Sequence, residues 1–121
     1  MYIITYEQGS IVLLPFPFSD LEGMKKRPAL VLSNADSQEK TGRFICMMIT
    51  SAMPVNEYDI VIQNWEAAGL LKPSVAKVNR VFTINQELVI KVLGKLEHSD
   101  FYTIFQAFFR LFQERSTKFQ E

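Results

Sequence analysis

The sequence predicts a mainly β fold with one C-terminal helix, its antiparallel sheet strongly bent and curled towards a small barrel. Three observations carry that expectation. Some six short β-rich runs are separated by turn-forming residues. The hydrophobic period changes to that of a helix after residue 98. In a chain of 121 residues, so many strands leave exposed edges unless the sheet curls to cover them.

Residues 10–16 follow Gly9 and run apolar through Val12, Leu13 and Leu14 into PFPF, whose two prolines argue against a strand paired fully on both sides. The stretch SDLEGMKK, rich in charge and in turn formers, reads as a loop. ALVLS (29–33) is the second strand, closed by the turn formers Asn34, Asp36 and Ser37, with Gly42 opening the next. RFICMMITS (43–51) is apolar throughout its middle, as a strand buried on both faces would be. YDIVIQ (58–63) alternates and reads as a strand. NWEAAGLLKPS then offers Asn64 as a cap, Gly69 as a stop and Pro73 beyond, enough for one or two helical turns. Residues 74–84 alternate, residues 89–96 hold a β-branched run, and both read as strands. Phe101, Ile104, Phe105, Phe108, Leu111 and Phe112 form the stripe of an amphipathic helix, with Ser99 in place to cap it and a polar tail after it.

The length suits a single domain over residues 1–121. Hydrophobic residues at 48% and charged residues at 21% are ordinary globular usage and argue against disorder. Ten phenylalanines imply an aromatic core or an apolar surface covered by a second subunit. Thirteen basic residues balance thirteen acidic ones, so any site for a polyanion must be local. Cys46, the sole cysteine, sits in an apolar run and reads as a small buried hydrophobe. The N-terminus lacks a signal pattern and no stretch is long enough to span a membrane, which points to the cytoplasm.

One histidine and one cysteine cannot assemble the usual metal or nucleophile constellations, and no glycine-rich phosphate loop is present. No metal and no cofactor are expected. His98 reads as a solvated residue near the helix start. What remains is the cluster Lys25, Lys26, Arg27 before Pro28, and the hydroxyl pair Thr50 and Ser51 closing the third strand. Proline holds its predecessor extended, so Arg27 is aimed from a defined backbone. A guanidinium gives bidentate hydrogen bonds to phosphate and keeps its charge at physiological pH. If strands two and three are neighbours, Arg27 and Thr50 converge. KKRP reads either as a solvated strand head that resists edge-to-edge pairing or as a phosphate site. The hydroxyls read either as turn formers or as ligands of that phosphate.

The segments GSIVLLPFPFSDLEGMKKRPALVLS, ITS, NWEAAGLLKPS and KLEHSDFYTIFQAFFRLF together resemble the PemK/MazF-like family of type II toxin–antitoxin ribonucleases. The order of strand, PFPF, charged loop and KKRPALVLS, then a threonine twenty-three positions after Arg27 and a W-x-x-A-G-L-x-K-P-S stretch, is what carries the likeness. The resemblance implies an SH3-like small barrel of the CcdB/PemK toxin type, a homodimer, and metal-independent cleavage of single-stranded RNA at short sequences, an mRNA interferase activity that inhibits growth. It also implies an antitoxin whose tail would lie in the dimer groove. By the same resemblance the catalytic places fall on Arg27 and Thr50; some members carry histidine where this chain has Lys26.

Cleavage without metal would use the neighbouring 2′-hydroxyl as nucleophile, leaving a 2′,3′-cyclic phosphate and a 5′-hydroxyl. Arg27 would stabilise the transition-state charge and Thr50 would fix the same phosphate. Phe18 and Phe16, the latter reading equally as a core residue, could stack bases from the loop, with Lys25, Lys26 and Ser51 beside them. Lys77 and Arg80 lie on opposite faces of a regular strand, so only one of them, unless a bulge intervenes, reaches the same groove. The rival readings are a non-catalytic SH3-like binding module and a gyrase-directed toxin.

Overall fold

The structure is a computed structural model that describes residues 4–16 and 25–114. The strands are β1 (Ser10–Phe16), β2 (Lys25–Val31), β3 (Arg43–Thr50), β4 (Asp59–Val61), β5 (Val75–Asn85) and β6 (Lys91–Lys95). The helices are α1 (Ala35–Thr41) and α2 (His98–Arg110), with a 3-10 turn at Gln86–Leu88. Every strand pair is antiparallel, in the order β4-β5-β3-β2-β1-β6. Among the described residues no strand pair joins β4 to β6, so the sheet is not closed by hydrogen bonds. Its two ends are brought together by the turn after β4, whose Ala68–Gly69 backbone lies against Leu93 and Gly94 of β6.

Both faces of the sheet are covered, which is why β3 reads as apolar through its middle. On one face Ile11, Leu30, Met47, Ile49 and Val78 pack with Ile104 and Ala107 of α2. On the other, Val12, Leu14, Ala29, Val31, Phe44 and Cys46 pack with Tyr6, Phe82 and Leu88. Phe44 is fully buried, whereas the phenylalanines of α2 form a stacked ladder, Phe101–Phe105–Phe108, along the helix. Those three are partly buried against the core, while Phe109 and Phe112 of that segment stay exposed.

Four local expectations are corrected. Residues 35–41, read as a turn, form α1. Asn34 caps it by accepting from Ser37 N, and Gly42 ends it in the left-handed region at φ 72°. Its one buried residue is polar: Gln38 bonds both Tyr6 N and Tyr6 O, so the helix is anchored by an amide rather than an apolar stripe. The stretch between Asn64 and Gly69, read as one or two helical turns, is instead part of a turn over residues 63–69 with a single i→i+4 bond, Ala68 N to Asn64 O, ended by Gly69 at φ 88°. Helix α2 starts at His98 behind Glu97, ahead of the expected cap at Ser99. Strand β2 begins at Lys25, because Lys25 and Lys26 pair with Phe16 and Pro15 of β1. The tail after residue 114 and most of the loop between β1 and β2 lie outside the described residues.

Candidate functional site

The β2–β3 ladder stops early. Its last pair is Ala29 with Met48, one residue short of Pro28, which has no N–H to give. Continuing the same register by two residues brings Arg27 opposite Thr50, on the face that holds Ala29 and Met48. The paired ladder thus ends just before the cation and the hydroxyl. Pro15 falls in a similar place on β1, beyond Leu13, the last residue paired with β6.

Two cavities open there, and Arg27 and Thr50 line both. The larger, about 630 Å3, is walled by the ends of β2 and β3, by Gly69 at the end of the turn and residues 70–72 after it, and by Lys91, Val92 and Leu93 of β6. Its cations are Lys26, Arg27, Lys72 and Lys91, and its hydroxyls are Thr50, Ser51 and Ser74. The smaller, about 200 Å3, lies beside Phe16, Met48 and Ala52 with Arg27, Lys77 and Arg80. No Asp or Glu is among the described residues lining either one. A chain with no net charge therefore concentrates cations at one end of its sheet, as anion recognition requires.

A bulge brings Lys77 and Arg80 to one cavity. Between the pairs Met47–Val81 and Ile49–Ala76 the register shifts, so β5 spends five residues where β3 spends two. That irregularity breaks the alternation which would have sent the two side chains to opposite faces. Lys77 is partly engaged already. Its Nζ lies 3.0 Å from Asp59 Oδ2 in a pair that is 22% and 4% exposed. The same carboxylate accepts from Val55 N at 2.8 Å, which ties down the loop between β3 and β4. Burial alone would raise the Asp59 pKa, but the Val55 N–H, the Lys77 ammonium and the Asn56 N–H outweigh it and hold the carboxyl below its ordinary value.

Among the residues singled out from sequence, Arg27, Thr50, Lys26 and Ser51 share the larger cavity, and Lys77 joins Arg27 and Thr50 in the smaller. Lys25 is exposed on β2 and lines neither cavity; Phe18 lies outside the described residues. His98 lines neither. Sequence reasoning missed Lys72, Ser74 and Lys91. The first two belong to the K-P-S end of the W-x-x-A-G-L-x-K-P-S stretch, which was the available signal; Lys91 reaches the cavity only through the pairing of β6 with β1.

A sequence search of curated proteins finds no match. Solved structures share the fold. A MazE-MazF structure (Form-III) from Deinococcus radiodurans has a TM-score of 0.73 and 19% identity, covering 91% of this chain and 96% of that one. An endoribonuclease in complex with its cognate antitoxin, from Mycobacterial species, has a TM-score of 0.70 and 13% identity, covering 86% and 91%. The Mycobacterium tuberculosis toxin MazF-mt6 has a TM-score of 0.70 and 19% identity, covering 85% and 95%. The family model for the PemK-like, MazF-like toxin of type II toxin-antitoxin systems matches residues 7–112, from before β1 to beyond α2, and this protein belongs to that family.

Proposed function

We infer that the protein is an endoribonuclease toxin that cleaves single-stranded RNA, with Arg27 and Thr50 at the phosphate that is broken. The observation that carries this reading is that both lie just past the end of the β2–β3 ladder and both line two cavities whose described charged residues are all cationic. In the reaction the substrate's 2′-hydroxyl gives up its proton and its oxygen attacks phosphorus. The P–O5′ bond breaks, and the departing oxygen takes a proton. The products are a 2′,3′-cyclic phosphate and a 5′-hydroxyl. Negative charge gathers on the phosphoryl oxygens as the bond forms, and a guanidinium held in place before that moment stabilises it without reorganising. The Thr50 hydroxyl donates to the same group. Lys26, Ser51 and Lys77 bind flanking parts of the chain, and the chemistry uses no metal.

The relatives' own descriptions extend the reading to partners: one is an endoribonuclease with its cognate antitoxin, another a MazE-MazF assembly. This chain accordingly works as a homodimer in the cytoplasm, held inactive by an antitoxin. Among the described residues no helix is long and apolar enough to cross a membrane.

The test is direct. Purified protein incubated with a long unstructured RNA in EDTA should yield defined fragments with cyclic phosphate and 5′-hydroxyl ends. Arg27→Ala should lower the rate about 100- to 1,000-fold, the effect of removing one charge-stabilising donor. Wild-type activity in that variant would remove the assignment. Intact RNA together with loss of DNA supercoiling activity in an added topoisomerase would favour a gyrase-directed toxin instead.

A further inference from the structure

We propose that the larger cavity seats the nucleoside adjoining the cleaved phosphate, and that Lys72 and Lys91 on its far wall hold the next phosphate along the strand. This rests on the RNA-cleaving reading above and assigns the substrate's path within it. One row of the sheet sets the distance. Lys91 pairs with Leu13 and Leu13 with Pro28, so Lys91 stands two strand spacings, roughly 10 Å, from the residue after Arg27. Lys72 reaches the same space from a separate segment, three residues past Gly69, whose backbone lies on β6.

Chemistry separates the two cavities. The larger has the capacity of a small-molecule pocket, which typically spans about 300–1,000 Å3, whereas the smaller, at about 200 Å3, does not. Between its cationic walls the larger cavity is aliphatic, with Leu13, Pro28, Leu70 and Val92. An aliphatic floor takes the face of a nucleobase, and cations at either end suit the phosphates on its two sides. Leu71, 92% exposed on the rim, has an apolar surface that a bound base would cover. Lys40, Lys77 and Lys95 each pair with a carboxylate, but among the described residues neither Lys72 nor Lys91 does. Both are free to meet an anion.

The experiment maps cleavage sites in a long single-stranded RNA, then measures kinetics on an oligonucleotide spanning one site. It compares the full-length wild type with K72A/K91A, Val92→Trp and the control Lys40→Ala. Val92 is half exposed on the edge strand, so the indole fills the cavity without entering the core, and thermal melting checks each variant's fold. Removing both lysines should raise KM roughly tenfold and make log(kcat/KM) less steep in log salt by about 0.7 per lost phosphate contact. An abasic substitution next to the cleaved bond should cost the wild type activity and leave V92W, already impaired, unchanged. If the wild type cleaves and both cavity variants match K40A, the cavity does not seat RNA and the proposal fails while the ribonuclease reading stands. If the wild type neither cleaves nor binds a fluorescein-labelled single strand, the ribonuclease reading fails and takes this one with it.

Discussion

Gly69 and Gly94 meet backbone to backbone, and that contact, not a strand pair, joins the two ends of the sheet. A Cβ on Gly94 would collide with the Ala68 carbonyl, and one on Gly69 with the Leu93 carbonyl. Glycine is needed at position 94 for closeness alone, and at position 69 for closeness and for its left-handed backbone as well. Gly94→Ala should therefore destabilise the protein by about 1–3 kcal/mol, the usual range for overpacking. Since the same contact sets the wall of the larger cavity, RNA cleavage should fall beyond what the stability loss explains. Urea denaturation and cleavage assays on one preparation check this; an alanine variant as stable as wild type would mean the two segments are not in contact.

Asp59 makes stability depend on acid. Its carboxyl is held below the ordinary 3.8, so its contribution is fully present above the unfolded-chain value and is lost as pH falls through the lower folded value. Asp59→Asn should cost about 1.5–3 kcal/mol near neutrality, as for a lost hydrogen bond to a charged group. It should also flatten the fall in stability below about pH 4. Chemical denaturation across that range measures both effects.

Asp100 ties α2 to the start of the 63–69 turn, which leads on to Lys72. Buried at 5% exposure, it accepts from Gln63 N at 3.1 Å and from Asn64 N at 2.9 Å. Asp100→Ala leaves those N–H groups without their partner, and should destabilise by about 1–3 kcal/mol. Hydrogen exchange should become faster at Gln63 and Asn64 while remaining unchanged at Gln38, in the separate α1 anchor.

Cys46 is fully buried, and burial pushes its thiol up to about 12. Only the thiolate reacts, and at pH 8 about one thiol in ten thousand is ionised at such a value. Iodoacetamide should leave the native protein unmodified over hours and label it promptly in denaturant. Rapid labelling of the folded chain would mean that β3 opens locally.

How much of this could be read from sequence depends on where each signal lies. The strands carry their patterns in short apolar or alternating runs and α2 in a periodic stripe, and Arg27 and Thr50 were reachable because one stands at the head of such a run and the other closes one. Helix α1 carried no pattern, since its buried residue is Gln38 and its packing is made by amide hydrogen bonds. The turn at 63–69 mimicked a helix because Asn64 and Gly69 are good terminators, yet only one i→i+4 bond forms between them. Lys91 and the joint reach of Lys77 and Arg80 were not legible, because they depend on which strands pair and on a shift in register, and both are tertiary facts.

The bulge in β5 has a further consequence. One cavity owes two of its cations to those extra residues, and the other owes its far wall to the turn and β6, while Arg27 and Thr50 come from strands that neither segment alters. On the proposed reading, a change in the length of either segment would alter which RNA is accepted while leaving Arg27 and Thr50 in place, so target choice would be modular in this architecture.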